Sequence, residues 1–141
     1  MSAPIVNFPS GGEPSPRIRA RTRAKRCHEL CGLGQLRAPS WVLVQGLVTM
    51  EDDDINFVYP HSWLERRGVV YDAVADRFYK KKEYYSIRRA LPLHRFTALQ
   101  AAKEISRSGY FEYWRSPAPA GRVGRDGRIK LVRWPAVRGR K

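Results

Sequence analysis

The excess positive charge of this chain is confined to its two ends, and that partition decides which part of it can fold. Residues 27–114 hold twelve basic and eleven acidic side chains, whereas residues 1–26 hold six and one, and residues 115–141 nine and one. Nearly all of the formal charge of +14 therefore lies outside the middle of the chain. The ends also hold seven of the ten prolines and six of the eleven glycines. Such stretches bury too little apolar surface to offset the entropy of ordering them. The sequence accordingly predicts a flexible basic arm over 1–23, a folded domain over 24–114 and a basic Gly- and Pro-containing tail over 115–141, flexible from Arg115 to Gly127. Ile129-Lys-Leu-Val-Arg-Trp134 alternates weakly and is a candidate edge strand.

Several classes are excluded at this level. With 43% hydrophobic and 11% aromatic residues the chain is too apolar to be wholly disordered. No apolar run approaches the roughly 20 residues that span a bilayer, so no membrane association is expected. Met1-Ser-Ala-Pro-Ile-Val-Asn-Phe8 lacks a basic leader followed by an apolar run, so no secretory signal is expected either. Cys27 and Cys31 are too few for a disulfide scaffold. A soluble protein of a reducing, cytoplasmic compartment is the expectation.

Within the middle segment the elements follow from periodicity. Ala24, Cys27, Leu30, Cys31 and Gly34 have the spacing of one helical face, with Gly32 and Gly34 weakening the second half of a helix over 24–36. Trp41–Thr49 is rich in β-branched residues and reads as a strand. Ile55–Tyr59 and His61–Glu65 form a strand pair or one bent strand, with Pro60 marking a bend or an edge. Arg66-Arg67-Gly68 is a turn and Val69–Ala73 the next strand. Phe78–Ala90 reads as a short helix, and Leu91–Phe96 as a return to the sheet edge. Thr97 and Gln100 have capping-box spacing and open a helix that Gly109 closes, with Leu99, Ala102, Lys103 and Ser106 leaving a thin apolar stripe. Helix, several strands, helix is an α+β order.

Three residues stand out by type and order: Cys27 near a helix start, His61 at the head of a strand and Asp72 in the strand that follows. A helix N-terminus and an adjacent imidazole turn a thiol into a thiolate nucleophile. The imidazole needs an acceptor on its other nitrogen to fix tautomer and orientation. His61 and Asp72 are separated by one tight turn, so a hairpin can set them side by side. The order permits a Cys-His-Asp triad.

These residues resemble a known family. Cys27 opening a helix, His61-Ser-Trp-Leu-Glu65 and Gly68-Val-Val-Tyr-Asp72 look like the transglutaminase-like branch of papain-fold cysteine enzymes, over about residues 26–114. The resemblance implies a Cys-bearing helix packed on an antiparallel sheet. It implies acyl transfer or hydrolysis of a protein or peptide amide through a thioester, with Cys27 as nucleophile, His61 as general base and acid, and Asp72 as the orienting carboxylate. It implies no cofactor. An oxyanion hole would use the backbone N–H of Cys27 and a further donor, for which Gln45 and His28 are candidates. Arg26 and His28 flank the cysteine where better-known members carry a Gly-x-Cys-Trp type of run. Relatives that keep the fold without activity are also known.

Other readings compete for the same residues. Cys27 and Cys31 also fit two small buried side chains one turn apart. A zinc site from Cys27, Cys31 and His61 matches the usual ligand spacings poorly, and no metal is expected. The run Glu51–Asp54 reads as a solvated turn. His28 and His94 also fit polar surface or sheet-edge positions. Trp41, Trp63 and Trp114 read as core, and Tyr84 and Tyr85 as one ring in and one out. The competing class is a nucleic-acid or acidic-surface binding module. Its residues would be Arg17, Arg19, Arg21 and Arg23 of the arm and Lys80, Lys81 and Lys82 within Tyr79–Tyr85, where aromatics interleave with lysines.

Overall fold

A computed structural model describes residues 14–49, 57–114 and 117–135; the run Glu51–Asp54 lies outside the described residues. The order is α1 (Cys27–Arg37), β1 (Val42–Thr49), β2 (Val58–Arg66), β3 (Val69–Asp72), β4 (Arg77–Lys80), α2 (Lys81–Arg88), β5 (Leu91–Phe96), α3 (Ala98–Ser108), β6 (Ala120–Val123) and β7 (Ile129–Arg133). The first five strands form one antiparallel sheet ordered β4-β3-β2-β1-β5. The fold is α+β, as its residue pattern predicts.

The sheet is buried on both faces, so β1 lacks a hydrophobic alternation: Leu43 through Thr49 are all buried. One face packs Leu43, Leu64, Tyr71 and Phe96 against Leu30 and Cys31 of α1 and Ala101 of α3. The other packs Val44, Val48, Trp63 and Val70 against Tyr84 of α2. α2 thus covers the face opposite α1 and α3. In α3 the capping box is formed: Gln100 N donates to Thr97 Oγ1 at 3.3 Å and Thr97 N to Gln100 Oε1 at 2.9 Å. Its buried face is Ala101 and Glu104, whereas Leu99 is 68% exposed and does not form the stripe expected of it.

The two helix glycines have a packing reason. A Cβ on Gly32 would lie 2.0 Å from the Phe111 ring, and one on Gly34 would lie 2.3 Å from the Pro16 carbonyl oxygen. Chain from both sides of the helix therefore occupies the space a side chain would take. α1 is enclosed by β2, α3 and the residues before it, which is why it shows no clean amphipathic stripe.

Of the two alternatives for this stretch the structure has the single strand: β2 runs through Pro60, with Pro60 opposite Leu47 of β1. β3 pairs only with Leu64–Arg66, so Pro60 sits where β2 has no second neighbour in need of its missing N–H. The helix expected over 78–90 is split into β4 and α2, because Phe78 and Tyr79 pair with Tyr71 and Val70. The weak strand at 129–133 pairs with β6 in a separate hairpin, not at the sheet edge, and that hairpin orders part of the segment 115–127 expected to be flexible.

The largest change concerns the arm. Residues 14–23 pack on the domain: Pro16 is buried, Ile18 and Ala20 lie against the core, and Arg17, Arg19 and Arg21 alternate outward. Arg23 holds the segment down, donating to the carbonyls of Ala73 (2.6 Å) and Ile18 (2.8 Å) and to the Tyr71 hydroxyl (3.0 Å). Composition averages over the alternation and misses a two-residue period of this kind. Arg23→Ala is expected to cost about 2 kcal/mol, the scale for charged hydrogen bonds whose buried partners are left unpaired. Arg19→Ala should cost under about 0.5 kcal/mol, as an exposed substitution. Urea unfolding midpoints at unchanged slope measure both.

Candidate active site

Cys27 is the first residue of α1, His61 lies within β2, and Asp72 is the last residue of β3. One more step of the β2–β3 register would set Asp72 beside Trp63, two residues from His61 and on the same face. The His61 Nε2 donates to Asp72 Oδ2 at 3.0 Å, with both side chains buried. The ring stacks on Trp63 at 6.3 Å between centroids and meets the edge of Tyr59 at 5.7 Å.

Asp72 is held far more extensively than the hairpin alone requires. Oδ2 also accepts from the Tyr84 hydroxyl at 2.7 Å and from Arg88 Nη1 at 3.2 Å, and Oδ1 accepts from the backbone N–H groups of Val74 and Ala75 at 3.0 and 3.1 Å. Burial opposes ionisation, yet the His61 and Arg88 charges and these hydrogen bonds hold the carboxyl well below its usual range. Arg88 in turn donates to the Thr49 carbonyl at 2.6 Å and to the Tyr59 hydroxyl, which ties α2 to the ends of β1 and β2.

With Nε2 on Asp72, His61 turns its other nitrogen toward Cys27. Burial by itself favours the neutral thiol, but hydrogen bonds from His28 and His61 and the His61 charge outweigh it and bring the thiol down to about 5. Burial likewise favours a neutral His61 ring. The charge and hydrogen bond of Asp72, with the contribution of Cys27, overcome that and raise it to about 9. Both shifts favour the thiolate–imidazolium form of the pair. Cys31, fully buried one turn along the helix, is pushed well above an ordinary thiol by burial.

His28 joins the site, although its sequence context fits a surface position equally well. Its Nδ1 shares a hydrogen bond with the Ser62 hydroxyl, and its ring meets the edge of Tyr113 at 5.8 Å. Successive residues His61 and Ser62 point to opposite faces of β2. Both imidazoles reach one sulfur because α1 packs on β2 where the strand extends beyond its pairing with β3.

Gln45 is engaged by the segment that follows α3. Its Nε2 donates to the Glu112 carbonyl at 2.7 Å and its Oε1 accepts from Trp114 N at 3.2 Å, so the amide pins the segment after α3 onto the sheet. The candidate anion-binding residues fall in two groups, Arg17, Arg19 and Arg21 lining one surface hollow and Lys80, Lys81 and Lys82 another. Arg17 is engaged with Asp76 at 2.9 Å, and Arg23 is turned inward. Lys81 lies 3.3 Å from Glu65 and over the Tyr85 ring at 5.5 Å. Arg19, Arg21, Lys80 and Lys82 remain exposed. Tyr79 and Tyr84 are core residues, which removes two rings from any stacking surface.

Tyr84, Arg88 and Ser62 are the site residues that the sequence pattern does not single out. A buried carboxylate implies further donors, but nothing in the residue order says that they come from α2. Among the described residues no group of three or more His, Cys, Asp or Glu is placed to hold a metal ion, and no helix is long and apolar enough to cross a membrane. No family model, curated protein or solved structure matches the chain.

The pH dependence follows from the two shifts. A lowered thiol stabilises the folded chain above the unfolded thiol value, and this contribution is lost as pH falls through about 5. A raised imidazole stabilises it below the unfolded His value, and this is lost as pH rises through about 9. The iodoacetamide labelling rate of Cys27 should rise with a midpoint near 5 in the wild type. In His61→Ala the midpoint should move up, because burial, which raises the thiol, then faces the hydrogen bond of His28 alone. Mass-mapped labelling from pH 4 to about pH 10 measures this, with native Cys31 staying unlabelled.

Proposed function

We propose that this chain is a thiol-dependent acyl transferase or hydrolase acting on an amide or peptide bond, related to the transglutaminase-like, papain-fold enzymes. The observation that carries the reading is His61, set between a depressed thiol and a buried, fully compensated carboxylate. The order of elements agrees with it: the nucleophile opens a helix packed on an antiparallel sheet, and base and orienting acid sit on neighbouring strands.

In the mechanism the Cys27 thiolate attacks the carbonyl carbon. The His61 imidazolium, already formed, protonates the departing amine as the tetrahedral adduct collapses to a thioester. The neutral imidazole then takes a proton from the incoming nucleophile, and the second adduct collapses to release the acyl group and the thiolate. Asp72 keeps the proton on Nε2 throughout and offsets the charge on the ring. Tyr84, Arg88 and the N–H groups of Val74 and Ala75 hold Asp72 in one orientation, so they are positioning residues. The nucleic-acid reading loses support from the burial of Tyr79 and Tyr84 and from the internal pairing of Arg17, Arg23 and Lys81.

The test is acylation by an activated ester. With p-nitrophenyl acetate near neutral pH, Cys27 should gain a single acetyl group that hydroxylamine removes and that Cys27→Ala never acquires. In Asp72→Asn the acylation rate should fall by about 10²–10⁴, the scale on which a triad loses its orienting carboxylate. Intact mass and p-nitrophenolate release give both readouts. Equal acetylation of wild type and Cys27→Ala contradicts the proposal.

A further inference from the structure

A tetrahedral adduct on Cys27 places negative charge on the former carbonyl oxygen, and that oxygen needs more than one donor. One is at hand: the N–H of Cys27 belongs to the first turn of α1, where no intrahelical acceptor exists. Gln45 uses its carbonyl and one amide hydrogen to hold the segment after α3.

The side chain that hydrogen-bonds the Cys27 sulfur beside His61 is His28. Side chains in a helix tilt toward its N-terminus, which brings the imidazole to the same end of α1 as the sulfur. Its ring is fixed by Ser62 on one nitrogen and by the Tyr113 edge on its side. Ser62 is fully buried in β2, so this anchor does not move with the surface. The ring also lines a cavity of about 410 Å³ beside Lys25, Glu29, Tyr110 and Glu112. With Nδ1 occupied by Ser62, Nε2 is the ring nitrogen left to present an N–H to the site.

On the reading of Cys27 as an acyl-transfer nucleophile, we infer that His28 is the second oxyanion donor, with Nε2–H following the negative charge from the sulfur to the carbonyl oxygen. As the sulfur–carbon bond forms, the carbonyl π pair moves to oxygen. That oxygen accepts from His28 Nε2 and Cys27 N, and no proton changes hands. When the adduct collapses, the pair returns to carbon and the carbon–nitrogen bond breaks, with the amine taking its proton from His61. The two imidazoles are thus divided in labour: His61, on Asp72, moves protons, and His28, on Ser62, holds charge.

Two thiol probes separate this role from the parent reading. An N-acetyl dipeptide aldehyde adds to Cys27 as a hemithioacetal with a developing oxyanion, whereas iodoacetamide reacts at a saturated carbon and needs no such donor. His28→Phe should lose about 10²-fold in aldehyde affinity, the scale of one oxyanion donor. At about pH 10, where even an ordinary thiol is ionised, its alkylation rate should stay near the wild-type rate. His28→Gln, whose amide can donate, should retain most of the aldehyde affinity. Ser62→Ala, which keeps the ring but frees it, should lose about tenfold, since misplacing a group costs less than removing its donor. Equal aldehyde affinity in wild type, His28→Phe and Ser62→Ala overturns the role of His28 and leaves Cys27 as the nucleophile. A wild-type chain that binds no aldehyde overturns both.

Discussion

The Asp72 carboxylate is 1% exposed and still ionised, and it stays so only because donors converge on it from three parts of the chain. His61 comes from β2, Tyr84 and Arg88 from α2, and the N–H groups of Val74 and Ala75 from the turn that follows β3. An unpaired carboxylate at this depth costs several kcal/mol, so the position of α2 across the sheet and the close of β3 are coupled to one charge. Arg88 extends the coupling to the Thr49 carbonyl and the Tyr59 hydroxyl. Cys27 is downstream of this: the carboxylate raises His61, and His61 in turn lowers the thiol.

The charge distribution takes on a different meaning with the fold in view. A basic arm predicts a surface for polyanions, yet Arg23 is spent on closing residues 14–23 over the core and Arg17 on Asp76. The carbonyl of Pro16 fills the space that a side chain at Gly34 would need, so helix and arm fit each other only with glycine there. What composition presents as a soluble appendage is, over residues 14–23, a wall of the domain that also helps to enclose α1.

Much of this was legible in the residue order. His61 and Asp72 face each other because a short turn joins two strands, and the alternation of side chains does the rest. Thr97, Gln100 and Gly109 bound α3 because capping is local chemistry. The misses are where distant segments decide. β4 exists because Val70 and Tyr71 of β3 offer an edge to Phe78 and Tyr79, which overrides their helical context. Gln45 has the type of an oxyanion donor but is used by the segment after α3. His28 fits an oxyanion donor and a surface position equally well in the residue order, because its partner, Ser62, lies on another element and matters only through its geometry.

The central claim is that Cys27 and His61 form a thiolate–imidazolium pair at neutral pH because Asp72 is ionised beside them. The most direct measurement is a ¹⁵N NMR titration of the His61 ring in the native chain. The account requires both ring nitrogens to be protonated at neutral pH, with the ring losing its proton near 9. A neutral His61 ring at that pH, or a midpoint at the ordinary value of about 6.5, contradicts it.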